Sequence, residues 1–251
     1  MLLDHDVDGV GPLLVAIHGI TEDRSFWDRV PLAERFHLIR VDLRGHGRSP
    51  RTGPYDPWTM AADVHALVQR LAPDQQPLVL GHSMGGVVAT AYASRYPVRG
   101  VVNVDQVLRL TPLPAQVAEA VRGDGFEPFM TAAFAPMYGE LDQIIAEDLQ
   151  ARRVLRQDVV LGAWAPLLNL TPQALEEWMD AVIRMPQPRP YLSLHGTDPG
   201  EDYPSWLRER IPGAQLERAS HATHYPHLAD PAWFLQQLGA FEATLPSVTE
   251  R

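Results

Sequence analysis

The 251-residue chain is 45% hydrophobic, which is enough apolar side chain to build a sizeable core in one or two domains. It has no cysteine, so disulfides, thiolate catalysis and cysteine-ligated zinc are excluded, and a reducing cytoplasm is the expected location. The net charge of −10 argues against nucleic acid as a partner, because a phosphate backbone is bound by clustered Lys and Arg. The acidic N-terminus does not resemble a signal peptide, and PLLVAI is too short to span a bilayer, so no membrane partner is expected.

Along the chain, short apolar runs alternate with helical patterns. Five runs have the composition of buried strands: LLVAIH (13–18), HLIRVD (37–42), PLVLGH (77–82), GVVNVD (100–105) and PYLSLHG (190–196). Helical periodicity is found in TMAADVHALVQRL (59–71), GGVVATAYASRY (85–96) and DPAWFLQQLGAFEATL (230–245). This alternation predicts an α/β fold with a mostly parallel central sheet and helices on both faces. Functional residues are then expected beyond the carboxyl ends of the strands.

The alternation stops between residues 108 and 187, where the sequence predicts helices only. The stretches GELDQIIAEDLQARRVLRQDVVLGAW (139–164) and TPQALEEWMDAV (171–182) are the clearest of them. This helical insertion is rich in aromatic residues and methionine. Most of these side chains are expected to form the core of the insertion, and some to line a pocket: Phe126, Phe129, Met130, Phe134, Met137, Tyr138, Trp164 and Trp178.

One predicted strand–helix junction contains a candidate catalytic motif, the pentapeptide Gly81-His82-Ser83-Met84-Gly85. It has the pattern G-x-S-x-G, with a strand before it and a helix after it. A sharp turn of this kind strains the serine backbone and needs small residues where strand and helix approach each other. The serine hydroxyl then projects over the sheet edge, so Ser83 is the candidate nucleophile. The alternative is an ordinary glycine turn.

A serine that attacks a carbonyl also needs hydrogen-bond donors for the oxyanion that develops, and backbone N–H groups serve well because they are fixed beforehand. Met84, directly after the serine, offers one N–H at a helix N-terminus. The segment His18-Gly19-Ile20 follows the first predicted strand, and the Ile20 N–H is the second candidate. Taken alone, His18-Gly19 would be read as a simple turn at the end of a strand.

With these motifs together, the chain resembles the α/β-hydrolase superfamily. The resemblance rests on HGI (18–20), VDLRGHGRS (41–49), GHSMGG (81–86) and HATHYPHLADP (221–231). It implies an α/β-hydrolase core over residues 1–107 and 188–251, with residues 108–187 as a helical cap. It also implies that DLRGHGRS is a structural turn, without a chemical role for Arg44, His46 or Arg48. Since only about a dozen residues precede LLVAIH, one edge strand of the family's sheet is expected to be missing.

The resemblance also identifies the general base. In the family, a histidine followed by an aromatic residue, Pro and His lies in the loop after the last strand, which corresponds to His224 here. His221 is an adjacent competitor, and His227 is expected to have a packing or capping role. A metal site formed by these three histidines is the alternative, but Pro226 interrupts any helix that would align them, and no set of carboxylates accompanies them. No metal or cofactor is expected.

Two strand ends could supply the acid that orients the base. Asp105 ends GVVNVD, the strand after the helix that follows Ser83, where some family members carry the acid. The sharp turn at Ser83 is called the elbow below. Asp198 follows a later strand, where the acid is more usual, but it comes one residue early and Pro199 occupies the expected position. Asp105 is the first choice and Asp198 the second, with Glu201 and Asp202 as minor candidates. The other aspartate would form a turn or cap a helix.

These residues predict a serine hydrolase of the carboxylesterase or lactonase type, acting through an acyl-enzyme on a small and largely apolar ester or lactone. The serine at the elbow argues against relatives that use an aspartate nucleophile. The alternatives within the same fold are a cofactor-free perhydrolase or lyase, and a ligand receptor with slow turnover. A purely structural or interaction protein is disfavoured, because such a protein needs neither an elbow serine nor an oxyanion loop.

Overall fold

The computed structural model describes residues 1–246. Within them, seven strands form one sheet in the order β1-β3-β2-β4-β5-β6-β7. β1 is antiparallel to β3, and every other neighbouring pair is parallel. The strands are β1 (His5–Asp8), β2 (Leu13–Ile17), β3 (His37–Val41), β4 (Leu78–His82), β5 (Gly100–Val104), β6 (Tyr191–His195) and β7 (Gln215–Arg218).

The five predicted strands are confirmed as β2 to β6, each within one residue at either end. Every residue of β2, β4, β5 and β6 is buried, since helices cover both faces of the sheet and leave no polar face. The two strands that the sequence did not predict lie at the sheet edges. β1 (HDVD) and β7 (QLER) contain three polar residues out of four and are partly exposed, so neither has an apolar run.

Alternate side chains of the strands enter two separate cores. On one face, β2 residues such as Val15 pack with α1 (Pro57–Leu71), α2 (Met84–Arg95) and α9 (Tyr203–Arg210). On the other face, Leu14 and its neighbours pack against Trp27 and against α11 (Pro231–Glu242). Short helical segments complete the core region: 3₁₀ turns at Arg24–Arg29 and Leu32–Glu34, and α10 (Pro226–Ala229). The chain thus has the predicted α/β-hydrolase architecture, with the carboxyl ends of six parallel strands at one edge of the sheet.

Residues 108–187, called the cap segment below, contain helices and no strand. The helices are α3 (Ala115–Arg122), α4 (Phe126–Phe134), α5 (Gln143–Arg152), α6 (Gln157–Ala163), α7 (Ala165–Asn169) and α8 (Pro172–Ile183), with a 3₁₀ turn at Ala135–Tyr138. The predicted stretch 139–164 divides into α5 and α6, because the backbone is extended at Arg153 and Arg156. There the Val154 N–H donates to the Thr21 carbonyl at 3.0 Å instead of continuing a helix.

The last five residues of the predicted core range 188–251, residues 247–251, lie outside the described residues. Among the helices of residues 1–246, none is both long and apolar enough to cross a membrane.

Candidate active site

Ser83 occupies a sharp turn between β4 and α2. Its backbone has φ 53° and ψ −125°, in the left-handed half of φ space that a non-glycine residue seldom adopts. Its N–H donates to the Val104 carbonyl at 2.9 Å, and its own carbonyl accepts from the Gly86 N–H at 2.7 Å. The elbow is therefore held by β5 and by the first turn of α2, and the serine is presented at the carboxyl edge of the sheet.

The glycines on either side of Ser83 allow strand and helix to approach. A Cβ atom on Gly81 would lie 2.0 Å from the Gly85 carbonyl oxygen, and one on Gly85 would lie 2.5 Å from the Ile17 carbonyl oxygen. Both distances are far below van der Waals contact. The G-x-S-x-G spacing is therefore required by the packing of β2, β4 and α2, as predicted from the sequence.

The two predicted oxyanion donors lie beside Ser83. Met84 is the first residue of α2, where backbone N–H groups have no acceptor within the helix. Ile20 follows β2, and Ile20, Ser83 and Met84 line one cavity. Within residues 1–246, neither the Ile20 N–H nor the Met84 N–H has a protein acceptor. Both amides are therefore available to a substrate oxygen.

His224 lies in the turn before α10, and its Nδ1 is 2.6 Å from Oδ2 of Asp105. A carboxylate accepts, so Nδ1 carries the proton and Nε2 of the neutral ring is left with its lone pair. His224 lines the cavity together with Ser83. No hydrogen bond joins the Ser83 hydroxyl to His224 in the described chain.

Asp105 is held rigidly as an ionised acceptor. It is 4% exposed, and its Oδ1 accepts from the N–H groups of Gly196 at 2.7 Å and Thr197 at 3.0 Å. The Thr197 hydroxyl donates to Oδ2 at 2.9 Å. Burial alone would raise the pKa of this carboxyl, but the hydrogen bonds from His224 and Thr197 outweigh it and lower the pKa to about 2. Asp105 thus remains charged throughout the neutral range.

The structure places Asp198 away from the site. Its side chain is 65% exposed, accepts from the Gly200 N–H at 2.9 Å and pairs with Arg218 at 3.0 Å. It forms a turn on the surface. Asp202, a minor candidate, pairs with Arg109 at 2.7 Å, and Glu201 is exposed. The loop after β6 therefore donates the amides of residues 196 and 197 to Asp105, while its own carboxylates are exposed.

The other histidines of the C-terminal loop lie in different surroundings. His227 is fully buried among Phe26, Trp27 and Phe234, so it packs in the core as expected. His221 is partly exposed, with its Nδ1 3.3 Å from the Ser220 hydroxyl. In residues 1–246 no group of three or more His, Cys, Asp or Glu side chains is arranged to hold a metal ion.

The DLRGHGRS turn is built from internal contacts. The Arg44 guanidinium pairs with the buried Asp63 at 2.6 Å, and the Arg48 N–H donates to Asp42 at 2.8 Å. His46 is buried, and burial lowers its pKa to about 3. None of these three side chains lines the cavity at Ser83, which agrees with a structural role for Arg44, His46 and Arg48.

The cavity above Ser83 has a volume of about 330 Å³, within the usual range of small-molecule sites. Its walls are mostly apolar and come from both the core and the cap segment. The cap segment contributes Phe134, Met137, Trp164 and Trp178, four of the eight residues singled out in the sequence, whereas Phe126 and Met130 are buried in its own core. No Arg or Lys is among the described residues that line the cavity. The site therefore offers no cation to an anionic substrate.

A buried polar network next to the site was not predicted from the sequence. Glu22 accepts from the Gly19 N–H at 2.9 Å and lies 3.3 Å from Nδ1 of His82. The other nitrogen of His82 donates to the His224 carbonyl at 2.9 Å. Arg153 of the cap segment lies 3.7 Å from Glu22. Glu22 lies two residues after the HGI motif (18–20), so its place near the site could have been found from the sequence. No sequence pattern links Arg153 to that motif.

Comparisons with known proteins find relatives that are named as a hydrolase and a lipase. A match at 33% identity over 174 residues is found to 2-(acetamidomethylene)succinate hydrolase of Mesorhizobium japonicum, covering 66% of this chain and 62% of that protein. Lipase LipV of Mycobacterium tuberculosis is 34% identical over 200 residues, covering 75% of this chain and 66% of the lipase. The chain thus spans about two thirds or less of the length of each of these relatives.

Among solved structures, a thermophilic esterase from Thermogutta terrifontis superimposes with a TM-score of 0.77 at 23% identity, covering 96% of this chain and 93% of the esterase. At that identity the likeness shows the fold. The model of the alpha/beta hydrolase family matches residues 14–237, a range that contains Ile20, Ser83, Asp105 and His224. The chain therefore belongs to the alpha/beta hydrolase family.

Proposed function

We propose that the protein is a serine hydrolase that cleaves a small, uncharged and largely apolar carboxylic ester or lactone. The observation that carries the proposal is the convergence, at one apolar cavity, of the elbow serine, a histidine bonded to a buried carboxylate, and two backbone N–H groups without acceptors. This combination serves acyl transfer. The location of the cap segment over the cavity supports its assignment as a cap that excludes water from the reaction.

In the proposed reaction, the Ser83 Oγ attacks the substrate carbonyl carbon while Nε2 of His224 takes the hydroxyl proton. The Ile20 and Met84 N–H groups hold the negative oxygen of the tetrahedral intermediate. His224 returns the proton to the leaving alcohol as the C–O bond breaks. Water then attacks the acyl-enzyme with the same assistance, which releases the acid and restores Ser83. Asp105 holds the proton-bearing Nδ1 and stabilises the imidazolium formed in each step.

The substrate class follows from the walls of the cavity. One relative is named for a succinate derivative, but an anion in this cavity would lie among aromatic and aliphatic side chains without an Arg or Lys partner in the described lining. An unpaired buried charge is costly, so the proposed substrate of this chain is not a succinate derivative. The proposal is a neutral acyl group and a neutral leaving group.

An assay with p-nitrophenyl butyrate and its anionic analogue, p-nitrophenyl hemisuccinate, tests the proposal. We expect turnover of the neutral ester, with a kcat/KM at least about 10²-fold higher than that for the hemisuccinate because of the unpaired charge. An uncharged fluorophosphonate should label the wild type, and the label should be lost in Ser83→Ala. A folded wild type that is neither labelled nor active on neutral esters or lactones would refute the hydrolase proposal. Equal use of both esters would refute the substrate class.

The pH dependence of activity follows from the surroundings of His224. Burial lowers the pKa of this histidine below its ordinary value, against the opposing hydrogen bond from Asp105. The base must be neutral to accept the serine proton, so activity is lost as the pH falls through this pKa. We expect kcat/KM for a neutral ester to rise with pH and to level off, with a midpoint below about 6.5. A midpoint above the ordinary histidine value would contradict this assignment.

A further inference from the structure

Arg153 is a cap-segment residue whose guanidinium is buried against the core. Its side chain is 6% exposed, and it lies where the backbone is extended between α5 and α6. Nη1 donates to the Thr21 hydroxyl at 2.6 Å and Nη2 to the Tyr225 hydroxyl at 2.6 Å. The guanidinium carbon lies 4.0 Å from the ring centroid of Phe134, a cavity wall. One side chain thus joins the cap segment to the loop after β2 and to the residue that follows His224.

The loop that Arg153 contacts is the one that carries the proposed oxyanion donor. Gly19, before Ile20, is held by the bond from its N–H to Glu22. Thr21, after Ile20, is held by Nη1 of Arg153, which also reaches the Ile20 carbonyl at 3.4 Å. The Ile20 N–H therefore lies between two anchored residues, one fixed from the core and the other from the cap segment.

The backbone of Thr21 is a second, independent observation. Its φ is 65°, a left-handed conformation that is unfavourable for a β-branched residue. Such a conformation persists only where the surroundings hold it. Two of the contacts that hold it come from the cap segment: the bond from Arg153 to the hydroxyl and the bond from the Val154 N–H to the carbonyl at 3.0 Å. Two come from the loop itself: the bond from the Thr21 hydroxyl to the Ile20 carbonyl at 2.5 Å and the bond from the Glu22 N–H to the Gly19 carbonyl at 3.4 Å. The cap segment therefore contributes half of the bonds that hold Thr21 in this conformation.

The buried charge of Arg153 has a matching anion at the same place. Glu22 lies 3.7 Å from Nη2, and both side chains are less than a tenth exposed. Burial opposes ionisation of Glu22, but His82 and the Arg153 guanidinium outweigh it and lower the pKa of the carboxyl to about 2. The two anchors of the loop are therefore counter-ions of each other.

We propose that Arg153 is a positioning residue for the oxyanion hole, fixing the Gly19–Thr21 segment so that the Ile20 N–H has catalytic geometry only while the cap segment is seated on the core. This inference rests on the proposed hydrolase function. Arg153 does not touch the reacting atoms. It acts through Thr21 and through Tyr225, so that closure of the site and assembly of the hole are one event.

Steady-state hydrolysis of p-nitrophenyl butyrate by Arg153→Met tests this, with the active enzyme counted by fluorophosphonate titration. We expect kcat to fall about 10- to 100-fold, since a shift of about 1 Å in a catalytic group can have an effect of that order, while KM stays within about threefold. Arg153→Lys keeps the charge but cannot bridge Thr21 and Tyr225 as a fork, so its kcat should lie between those of Arg153→Met and wild type.

Arg156 provides the matched control. It lies three residues further on in the same extended segment and also joins the cap segment to the core, through the carbonyl of Gly45. Among the described residues, its hydrogen bonds go to the carbonyls of Gly45 and Gly47 and none goes to the oxyanion loop. Arg156→Met should keep kcat within about threefold of wild type. An equal fall in kcat for both variants would overturn the positioning role, and so would an Arg153→Met enzyme changed only in KM or in Tm.

A variant pair on the loop side covers the case in which Arg153→Met does not fold. Thr21→Ala removes the acceptor of Arg153 together with the hydroxyl bond to the Ile20 carbonyl, and it should lower kcat about tenfold. Thr21→Ser keeps the hydroxyl and should stay within about threefold of wild type. If Thr21→Ala retains the wild-type kcat, the inference is wrong. The wild type is assayed alongside. Its failure to turn over any neutral ester or lactone would refute the function and this inference together, whereas an active wild type with unaffected variants would refute the inference alone.

Discussion

Replacing Ser83 by alanine should lower kcat for a neutral ester by about 10⁶-fold, because the acyl-enzyme can no longer form. His224→Ala should have an effect of the same order, and the double variant should be no slower than either single variant, since the two residues act as one unit. The measurement is steady-state hydrolysis of p-nitrophenyl butyrate. The residual rate acceleration of these variants should come from the oxyanion hole and from substrate binding.

The fold should survive the Ser83→Ala change. Alanine keeps the Cβ atom, so the backbone at φ 53° has the same strain, and the Ser83 hydroxyl has no protein hydrogen-bond partner among the described residues. Ser94→Ala is the matched control, because Ser94 is a buried serine of α2, the helix that follows Ser83, and among the described residues its hydroxyl bonds only the Ala91 carbonyl. It should leave kcat unchanged. If Ser83→Ala kept more than about 1% of wild-type turnover, the nucleophile would have to be another residue.

Replacing Asp105 by asparagine should lower kcat by about 10⁴-fold at neutral pH. The direction of the new amide is set by its neighbours. Oδ1 accepts from two backbone N–H groups, those of Gly196 and Thr197, so the asparagine carbonyl must take that position. Its NH₂ group then faces Nδ1 of His224 as a donor. This arrangement favours the tautomer with the proton on Nε2, in which the histidine cannot accept the serine proton.

The companion variant is Asp198→Asn. Its amide oxygen can still accept from the Gly200 N–H, and only the exposed pair with Arg218 is lost. We expect kcat within about twofold of wild type, because exposed pairs contribute little. Loss of activity in Asp198→Asn, with Asp105→Asn unaffected, would assign the role of the acid to Asp198. It would also show that the arrangement of Asp105 and His224 is not the catalytic one.

The central part of the fold could be predicted because burial on both faces leaves a clear pattern. Strands β2 to β6 are continuous apolar runs, and their order along the chain alternates with helices. The elbow at Ser83 was visible for a similar reason, since its glycines are imposed by contacts between adjacent elements. The structure also places Asp105 beside His224. Asp105 lies at the strand end that the sequence favours over that of Asp198.

Other features depend on contacts that leave no pattern in the sequence. Strands β1 and β7 pair along only one edge and are partly exposed, so their composition is polar and they were missed. Arg153 meets Thr21 across 132 positions of the chain, and neither residue belongs to a motif. The break between α5 and α6 likewise follows from a contact with the Thr21 carbonyl, whereas the local sequence there favours a continuous helix.

The support of Asp105 by the backbone of the β6 loop has a consequence for protein engineering. The loop contributes the amides of Gly196 and Thr197, and past Thr197 its carboxylates point to solvent. Main-chain donors do not depend on the side chain of their residue, and residues 198 and 200–202 are exposed, so we expect this stretch to accept an insertion. A peptide tag or a reporter domain grafted there should leave the acid in place, whereas in a relative whose acid lies on this loop the same graft would displace it.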